Sequence, residues 1–440
     1  MHRLSVAADP LALGPIIRIS GVVPEDETSS KEGAMMNPMR LIAAGRGPSL
    51  SAGAWFLAIL AVLGPGGPAV GQAAGPTVGS EVVLDPPEAT LMVGDRVVAT
   101  GRPQRLYHVV RVKGDWLWLV SGDVKGWAMR DEAVPFDELM DECNRAIESK
   151  DVPAATYFRR GNLWLIKEEW ALALADFDQA LSRAPKDAAI LRNRGLAWAK
   201  LKDTNRAIAD FTAAIQLDPK YAWAYESRGR VWAELGDHDR AVADYSEALR
   251  LDPGDVVALQ GRGLSWVATG FHDGAITDLT EALRLDPNRA RAYSARGSAW
   301  TAKKEYGRAL DDFTAALRLD PNDADAHDGV ATIRATCPDD RYRDGRRAIA
   351  AATRALQLHG RSCPQCLDTM AAACAEFGDF ATAVKWETKA LEVLPKEDPA
   401  QNAFRSRLAL YQDKKPYRDA PEGSPDAIAV APPRRDDGSR

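Results

Sequence analysis

Cys363 and Cys366 stand in Cys363-Pro-Gln-Cys366, the spacing at which two thiols can ligate a metal or cycle between dithiol and disulfide. Both chemistries need more than the pair. A structural zinc site takes four ligands, and neither a second C-x-x-C nor a His pair at ligand spacing accompanies this one. A redox pair of the thioredoxin kind opens a helix that follows a strand, whereas the flanking sequence reads as helices alone. Cys143, Cys337 and Cys374 complete the set of five cysteines. The pattern predicts a disulfide that pins a long insertion, Cys337 with Cys363 or Cys366, and a buried free thiol at Cys374. A redox or enzyme-accessory role for Cys363 and Cys366 is the alternative reading.

Other reactive constellations are missing from the sequence. The six histidines are scattered, and His238 and His272 fall at equivalent positions of a repeat where Trp170 and Tyr306 stand elsewhere, which argues packing. No phosphate-binding Gly-rich loop, Gly-x-Ser-x-Gly elbow or His-Glu-x-x-His motif occurs. The carboxylates follow the same repeat, so no catalytic pair stands out. The expectation is a protein that is not an enzyme and takes no cofactor or metal.

The elements that must carry these residues repeat every 34 positions. Gly161, Gly195, Gly229, Gly263 and Gly297 keep this period, as do Trp164, Trp198, Trp232, Trp266 and Trp300. Pro185, Pro219, Pro253, Pro287 and Pro321 close the units. A fixed period of this size marks a solenoid, in which each unit is too small to bury its own apolar face. One unit reads as a helix over 222–235, a Gly236-Asp237 turn and a helix over 238–251, stopped by Pro253. Alanines recur where helices must approach, at Ala173, Ala207, Ala241, Ala275 and Ala309. Phe177, Phe211, Tyr245, Leu279 and Phe313 fill the space beside them.

With the Gly, the aromatic three later, the alanines and the closing Pro, the chain resembles the tetratricopeptide repeat family over 154–323, and more weakly to about 395. The resemblance implies a mostly α, right-handed solenoid of helix hairpins whose first helices line a concave, peptide-binding groove. It implies no catalysis. The expected units are a half-repeat cap at 136–151 with Ala146 in its small-residue position, then repeats at 154–187, 188–221, 222–255, 256–289 and 290–323. An irregular repeat at 324–360, a repeat at 362–397 and a terminal helix at 400–411 complete a solenoid over 136–412. Residues 413–440 read as a disordered tail.

The chain departs from the family where Leu usually precedes each Gly. Arg160, Arg194, Arg228, Arg262 and Arg296 stand there, beside a second ladder of Asp176, Asp210, Asp244, Asp278 and Asp312. Folding each hairpin about its turn predicts an Arg–Asp pair inside every unit, a structural ladder. The competing reading is an exposed Arg stripe that recruits an acidic partner.

By the same resemblance, the groove takes Phe158, Arg159, Asn162, Arg192, Asn193, Trp223, Glu226, Arg230, Gln260 and Arg291. Asn162 and Asn193 match two positions of the clamp that grips chaperone C-termini. Phe158, Trp223 and Ser227 replace its basic residues, so a cochaperone role is rejected. A surface mixing Arg with aromatics suits a peptide bearing acidic and apolar side chains.

Residues 79–135 alternate valines and aromatics with polar residues, predicting strands at 96–100, 107–112, 116–120 and 126–129. Val112-Lys-Gly-Asp-Trp-Leu-Trp-Leu-Val and Lys125-Gly-Trp127 resemble a bacterial Src-homology-3-like small all-β barrel, a family that often binds peptides or cell-wall material. At least two of Trp116, Trp118 and Trp127 are expected to fill its core, the alternative being an aromatic binding face.

Arg40 and Arg46, the apolar run 52–63 and the small residues 69–74 follow the order of a secretory signal, or of a retained anchor, over 35–75. Residues 1–34 are then disordered or not translated, with Met35, Met36 or Met39 as the start. Against 62 acidic residues the chain has 56 Lys and Arg, a net charge of −6 spread over helix surfaces. This is no nucleic-acid footprint. The resulting expectation is an exported, non-catalytic scaffold that binds an unidentified protein or peptide, meets envelope material through the barrel, or assembles with itself.

Overall fold

A computed structural model describes residues 75–84, 90–93, 96–100, 105–121, 124–360 and 363–419. The readings placed on residues 1–74 and 420–440 lie outside these. Among the described residues no helix is long and apolar enough to cross a membrane.

Seven strands come first: β1 Glu81–Leu84, β2 Thr90–Val93, β3 Arg96–Thr100, β4 Tyr107–Lys113, β5 Trp116–Ser121, β6 Val124–Met129 and β7 Ala133–Pro135. They pair antiparallel in one curled sheet, ordered β3-β2-β6-β5-β4-β1-β7. The strands β1, β2 and β7 are too short to show a period in sequence. Leu117 and Leu119 of β5 and Ala128 of β6 enter a core with Val82, Leu91 and Tyr107. Because side chains alternate along a strand, Trp116, Trp118 and Trp127 fall on the other face, and all three are half-buried. The expectation that at least two of them fill the core is therefore corrected: aliphatics and Tyr107 fill it.

Sixteen helices follow among the described residues. The helix α1 (Phe136–Ile147) precedes seven hairpins. They are α2/α3 (Ala154–Ile166, Trp170–Arg183), α4/α5 (Ala188–Lys200, Thr204–Leu217), α6/α7 (Ala222–Glu234, His238–Leu251) and α8/α9 (Val256–Thr269, His272–Leu285). Next come α10/α11 (Ala290–Ala302, Tyr306–Leu319), α12/α13 (Ala324–Thr336, Gly345–His359) and α14/α15 (Pro364–Phe377, Phe380–Val393), and α16 (Gln401–Gln412) ends the run. Asp caps recur at second-helix starts, where Asp203, Asp237 and Asp379 accept amide hydrogen bonds that the first turn cannot make internally.

The helix α1 does more than cap the stack. Its Phe136, Leu139, Met140 and Cys143 pack with Val83 of β1 and Leu163 of α2, joining sheet to solenoid. Lys167 reinforces the joint by pairing with Glu81. Ala146 is exposed, and Cys143 is the buried position instead. The helix leans on β1 as well as on α2, which turns a different stripe inward.

The glycine ladder exists because a large side chain of the second helix lies against it, a ring in four hairpins and Leu279 beside Gly263. A Cβ built on Gly195 would stand 2.7 Å from Phe211, which is fully buried and has nowhere to go. At Gly229 the nearest atom is Asp244 Cβ at 3.2 Å, a tight but softer contact. Overpacking typically costs ~1–3 kcal/mol, partly offset by the ~1 kcal/mol helix preference of Ala over Gly. Gly195→Ala should therefore lower the thermal midpoint clearly and Gly229→Ala much less. Equal midpoints for the two variants would refute this account of the ladder.

The tryptophan ladder is roofed by cations. Arg206 lies over Trp198 (4.5 Å), Arg240 over Trp232 (4.6 Å) and Arg308 over Trp300 (4.8 Å). In the fourth hairpin Gly274 stands at that Arg position; Arg262, on the same helix as Trp266, lies over that ring (4.6 Å), and Phe271 packs edge-on against it at 5.2 Å.

Candidate functional site

All five Arg–Asp pairs form. Each Arg donates Nε and Nη2 to the two oxygens of its Asp, 16 residues on, at 2.6–2.9 Å. The third nitrogen, Nη1, reaches back to the preceding unit. It donates to Asn144 Oδ1, Asp178 Oδ1, Thr212 Oγ1, Ser246 Oγ and Thr280 Oγ1 in turn, at 2.7–3.1 Å. Every Arg thus holds its own hairpin closed and staples it to its neighbour. With the guanidinium side chains only 18–25% exposed and every donor edge engaged, the stripe is structural, not a free cationic surface. The Asp pair was legible from spacing. The third acceptor was also in the sequence, in four of the five cases as an oxygen-bearing residue two after a ladder Asp, but nothing in one dimension singles it out.

The first helices carry a second network. Asn193 donates Nδ2 to Asn162 Oδ1 (2.7 Å), and Arg192 Nη1 donates to Asn193 Oδ1 (3.0 Å). Arg192 also donates Nε to Ser227 Oγ (3.1 Å), lies 3.9 Å from Glu226 and sits over the Trp223 ring at 5.9 Å. Arg230 meets the other side of Glu226 at 4.0 Å. Burial pulls the Arg192 guanidinium below its usual pKa range, with Tyr221 and Glu226 opposing. Asn162, Arg192, Asn193, Trp223, Glu226 and Arg230 are therefore one contiguous patch across α2, α4 and α6.

The other four groove candidates lie apart from this patch. Phe158 packs on Phe177 (6.0 Å) and Arg159 meets Glu142 of α1 (3.5 Å). Gln260 accepts from Arg289 (3.0 Å) at the start of the next hairpin, and Arg291 is exposed. Within the patch, Arg192, Asn193 and Glu226 are occupied by one another, while Trp223 is 51% exposed and Arg230 faces solvent. Residue-type reasoning missed Ser227 as a hydrogen-bond acceptor and Tyr245. A Cβ at Gly261 would stand 2.7 Å from the Tyr245 hydroxyl, so Gly261 lets that phenol reach between α6 and α8. Burial first, then the Glu226 charge, raise the Tyr245 pKa. The signal was a Tyr where Phe177, Phe211 and Phe313 stand in other units.

All five cysteines are free thiols, which corrects the expected disulfide among Cys337, Cys363 and Cys366. Cys337 is fully buried with Phe313 and Ile333, whereas Cys366 belongs to the α14 core with Leu367 and Met370. Separate cores hold them apart. Cys363 instead caps α14, its Sγ accepting from the Cys366 amide at 3.3 Å. Burial pushes the Cys374 thiol up to about 12 and raises Cys366 further.

The tetratricopeptide repeat model matches residues 158–222, 203–256 and 261–324. No curated protein matches the chain. Among solved structures, YrrB, described as a TPR protein with an unusual peptide-binding site, is similar over 42% of this chain and 96% of its own, at 22% identity and TM-score 0.37. MamA from Desulfovibrio magneticus RS-1 covers 40% and 99% at 21% identity and TM-score 0.36. A tetratricopeptide repeat protein from Parabacteroides merdae covers 63% and 98% at 17% identity and TM-score 0.41. Such repeats mediate contacts between proteins and with peptides. On the matched motif and the stacked hairpins, the helical units of this chain between residues 158 and 324 are tetratricopeptide repeats.

Proposed function

We propose that this chain is a non-catalytic, exported scaffold that binds an acidic, aromatic-bearing peptide on its concave face around Trp223 and Arg230. One observation carries the reading. A tryptophan stands half in solvent on the inner wall, backed by a polar network that fixes its neighbours before any ligand arrives. Preorganised aromatic and Arg anchors are the usual centres of binding energy. Arg230 and Arg291 add exposed positive charge on the same wall.

The curled sheet supplies a second contact in this reading, similar to a Src-homology-3-like barrel. Trp118 and Trp127 meet edge-on at 5.2 Å on its outer face, a surface suited to envelope material or a peptide. Two modest contacts on one chain reinforce each other through effective concentration.

The test is an array of peptides mixing Asp or Glu with aromatics, probed with the full chain. Peptides that bind should lose about tenfold or more in affinity with Trp223→Ala, the scale of an interface anchor. Binding that is indifferent to both Trp223→Ala and Arg230→Ala would remove the groove from the proposal.

A further inference from the structure

The segment after α16 does not run on as a tail. Lys414 adopts the left-handed conformation, φ 57°, and Lys415 N–H bonds Leu410 O at 2.8 Å, which turns the chain back on itself. Residues 413–419 then cross the C-terminal ends of α14 and α12 and reach the α10–α11 turn, against the direction of the stack. This corrects the expectation that the disordered tail begins at 413.

Each residue of the strap meets a specific partner. Tyr417 packs on the α14–α16 core and lies under Arg407 at 5.2 Å. Arg418 pairs with Glu376 near the end of α14 at 2.6 Å and donates to Ala335 O at 3.3 Å. Asp419 N–H donates to Thr336 O at 2.9 Å. The Asp419 carboxylate pairs with Lys304 and accepts from Tyr306 Oη at 3.2 Å. Chemistry explains the order. The last carbonyls of α12 lack intrahelical donors, and the strap supplies them. Cationic Arg418 lies at that negative helix end, and anionic Asp419 lies at the positive start of α11.

The site is wider than the strap. Asp419 forms one wall of a cleft of about 530 Å³, between the α10–α11 turn and the 338–342 insertion. Glu305, Arg308, Asp339, Arg341 and Tyr342 line the rest, with Arg341 already held by Asp339. Room remains beyond the resident carboxylate.

We infer that this edge of the solenoid is a docking site for an extended peptide bearing an aromatic–basic–acidic run. Tyr417-Arg418-Asp419 is its resident ligand, and a partner's segment must displace it. The site lies at the C-terminal ends of the first helices, away from Trp223, so it stands independently of the groove reading. A tethered competitor works at roughly millimolar effective concentration, so the strap sets a threshold that only a tighter segment passes.

The probe is a labelled synthetic peptide spanning residues 414–422, followed by fluorescence anisotropy against full-length protein. The double variant Arg418→Ala/Asp419→Ala frees the edge and should bind the peptide at least about tenfold more tightly than wild type does. Adding Lys304→Ala and Tyr306→Phe to that variant should abolish the gain. Hydrogen exchange on the wild type gives a second reading that needs no variant: the Asp419 amide should be protected. Equal peptide affinity in wild type and double variant, no binding by either, or an unprotected Asp419 amide would each overturn the inference. If the peptide instead drives the double variant into dimers without occupying the edge, mapped by unchanged exchange at Thr336 to Tyr342, the site assignment also fails.

Discussion

Asp244→Ala is expected to destabilise the solenoid by about 3 kcal/mol and to split its unfolding into two transitions. The carboxylate is 6% exposed and takes both inner donors of Arg228, at 2.7 and 2.8 Å. Truncation leaves a guanidinium, itself only 20% exposed, with Thr212 as its remaining partner. Losing one member of a buried pair is costly because the other stays desolvated without compensation. The effect should be regional, since α6/α7 sits in the middle of the stack and each hairpin touches mainly its neighbours. The companion Arg228→Met/Asp244→Leu double change removes both charges and should recover most of the loss. Denaturant melts of the three proteins decide the matter. A single transition with less than about 1 kcal/mol lost in Asp244→Ala, within the range of exposed pairs, would reduce the ladder to decoration.

The second large effect concerns pH. Glu387 of α15 is fully buried beside the Asp368 carboxyl, with which it shares a hydrogen bond. Asp368 of α14 takes the Arg407 guanidinium at 2.6 Å, while Glu387 is left 4.0 Å from it. Burial first, and the Asp368 charge second, push the Glu387 pKa well above the carboxylate range, against the pull of Arg407. The folded state therefore holds a proton that the unfolded chain releases near pH 4–5. The contribution is full below the unfolded pKa and is lost as pH rises toward the folded one. Asp328, raised to about 6 by burial, acts in the same direction. Asp379, lowered by its hydrogen bonds to Thr382, acts in the opposite direction at the acid end. Between pH 5 and pH 8 the last hairpin should lose about 2–3 kcal/mol, a discount on the limit of 1.36 per pH unit. Glu387→Gln, which keeps the shape without a titrating proton, should flatten that slope and stabilise the protein at pH 8. Chemical denaturation at both pH values gives the answer. A wild type that gains stability toward pH 8, or a variant with the same slope, would contradict the assignment.

Much of this was readable from residue order. The helix pair around Gly236 lies where its Pro, Gly and Ala marks put it, because those marks are local: a turn at φ 80° and a stop at Pro253. The intra-hairpin Arg–Asp pairs were legible too, since a hairpin of known length brings residues 16 apart level. The tryptophans of the sheet were misread. Their spacing fixes that they share a face, but the face turned inward depends on what the other strands bring, and those strands were too short to recognise. Six of the ten groove candidates share one patch, but their pairing with one another was not legible. Which of Arg192, Arg230 and Arg291 is occupied depends on the rise from one unit to the next.

Residue order alone set the 34-residue period, the hairpin and the pairing within it, since these obey short fixed spacings along a single chain. Tertiary structure alone decided the third bond of each Arg, the separate cores of Cys337 and Cys366, the outward tryptophans and the return of Asp419 to Lys304 and Tyr306. The last contact spans 113 residues. Interactions of that reach follow from the accumulated twist and rise of stacked units, a geometric sum that no local pattern of residue types encodes.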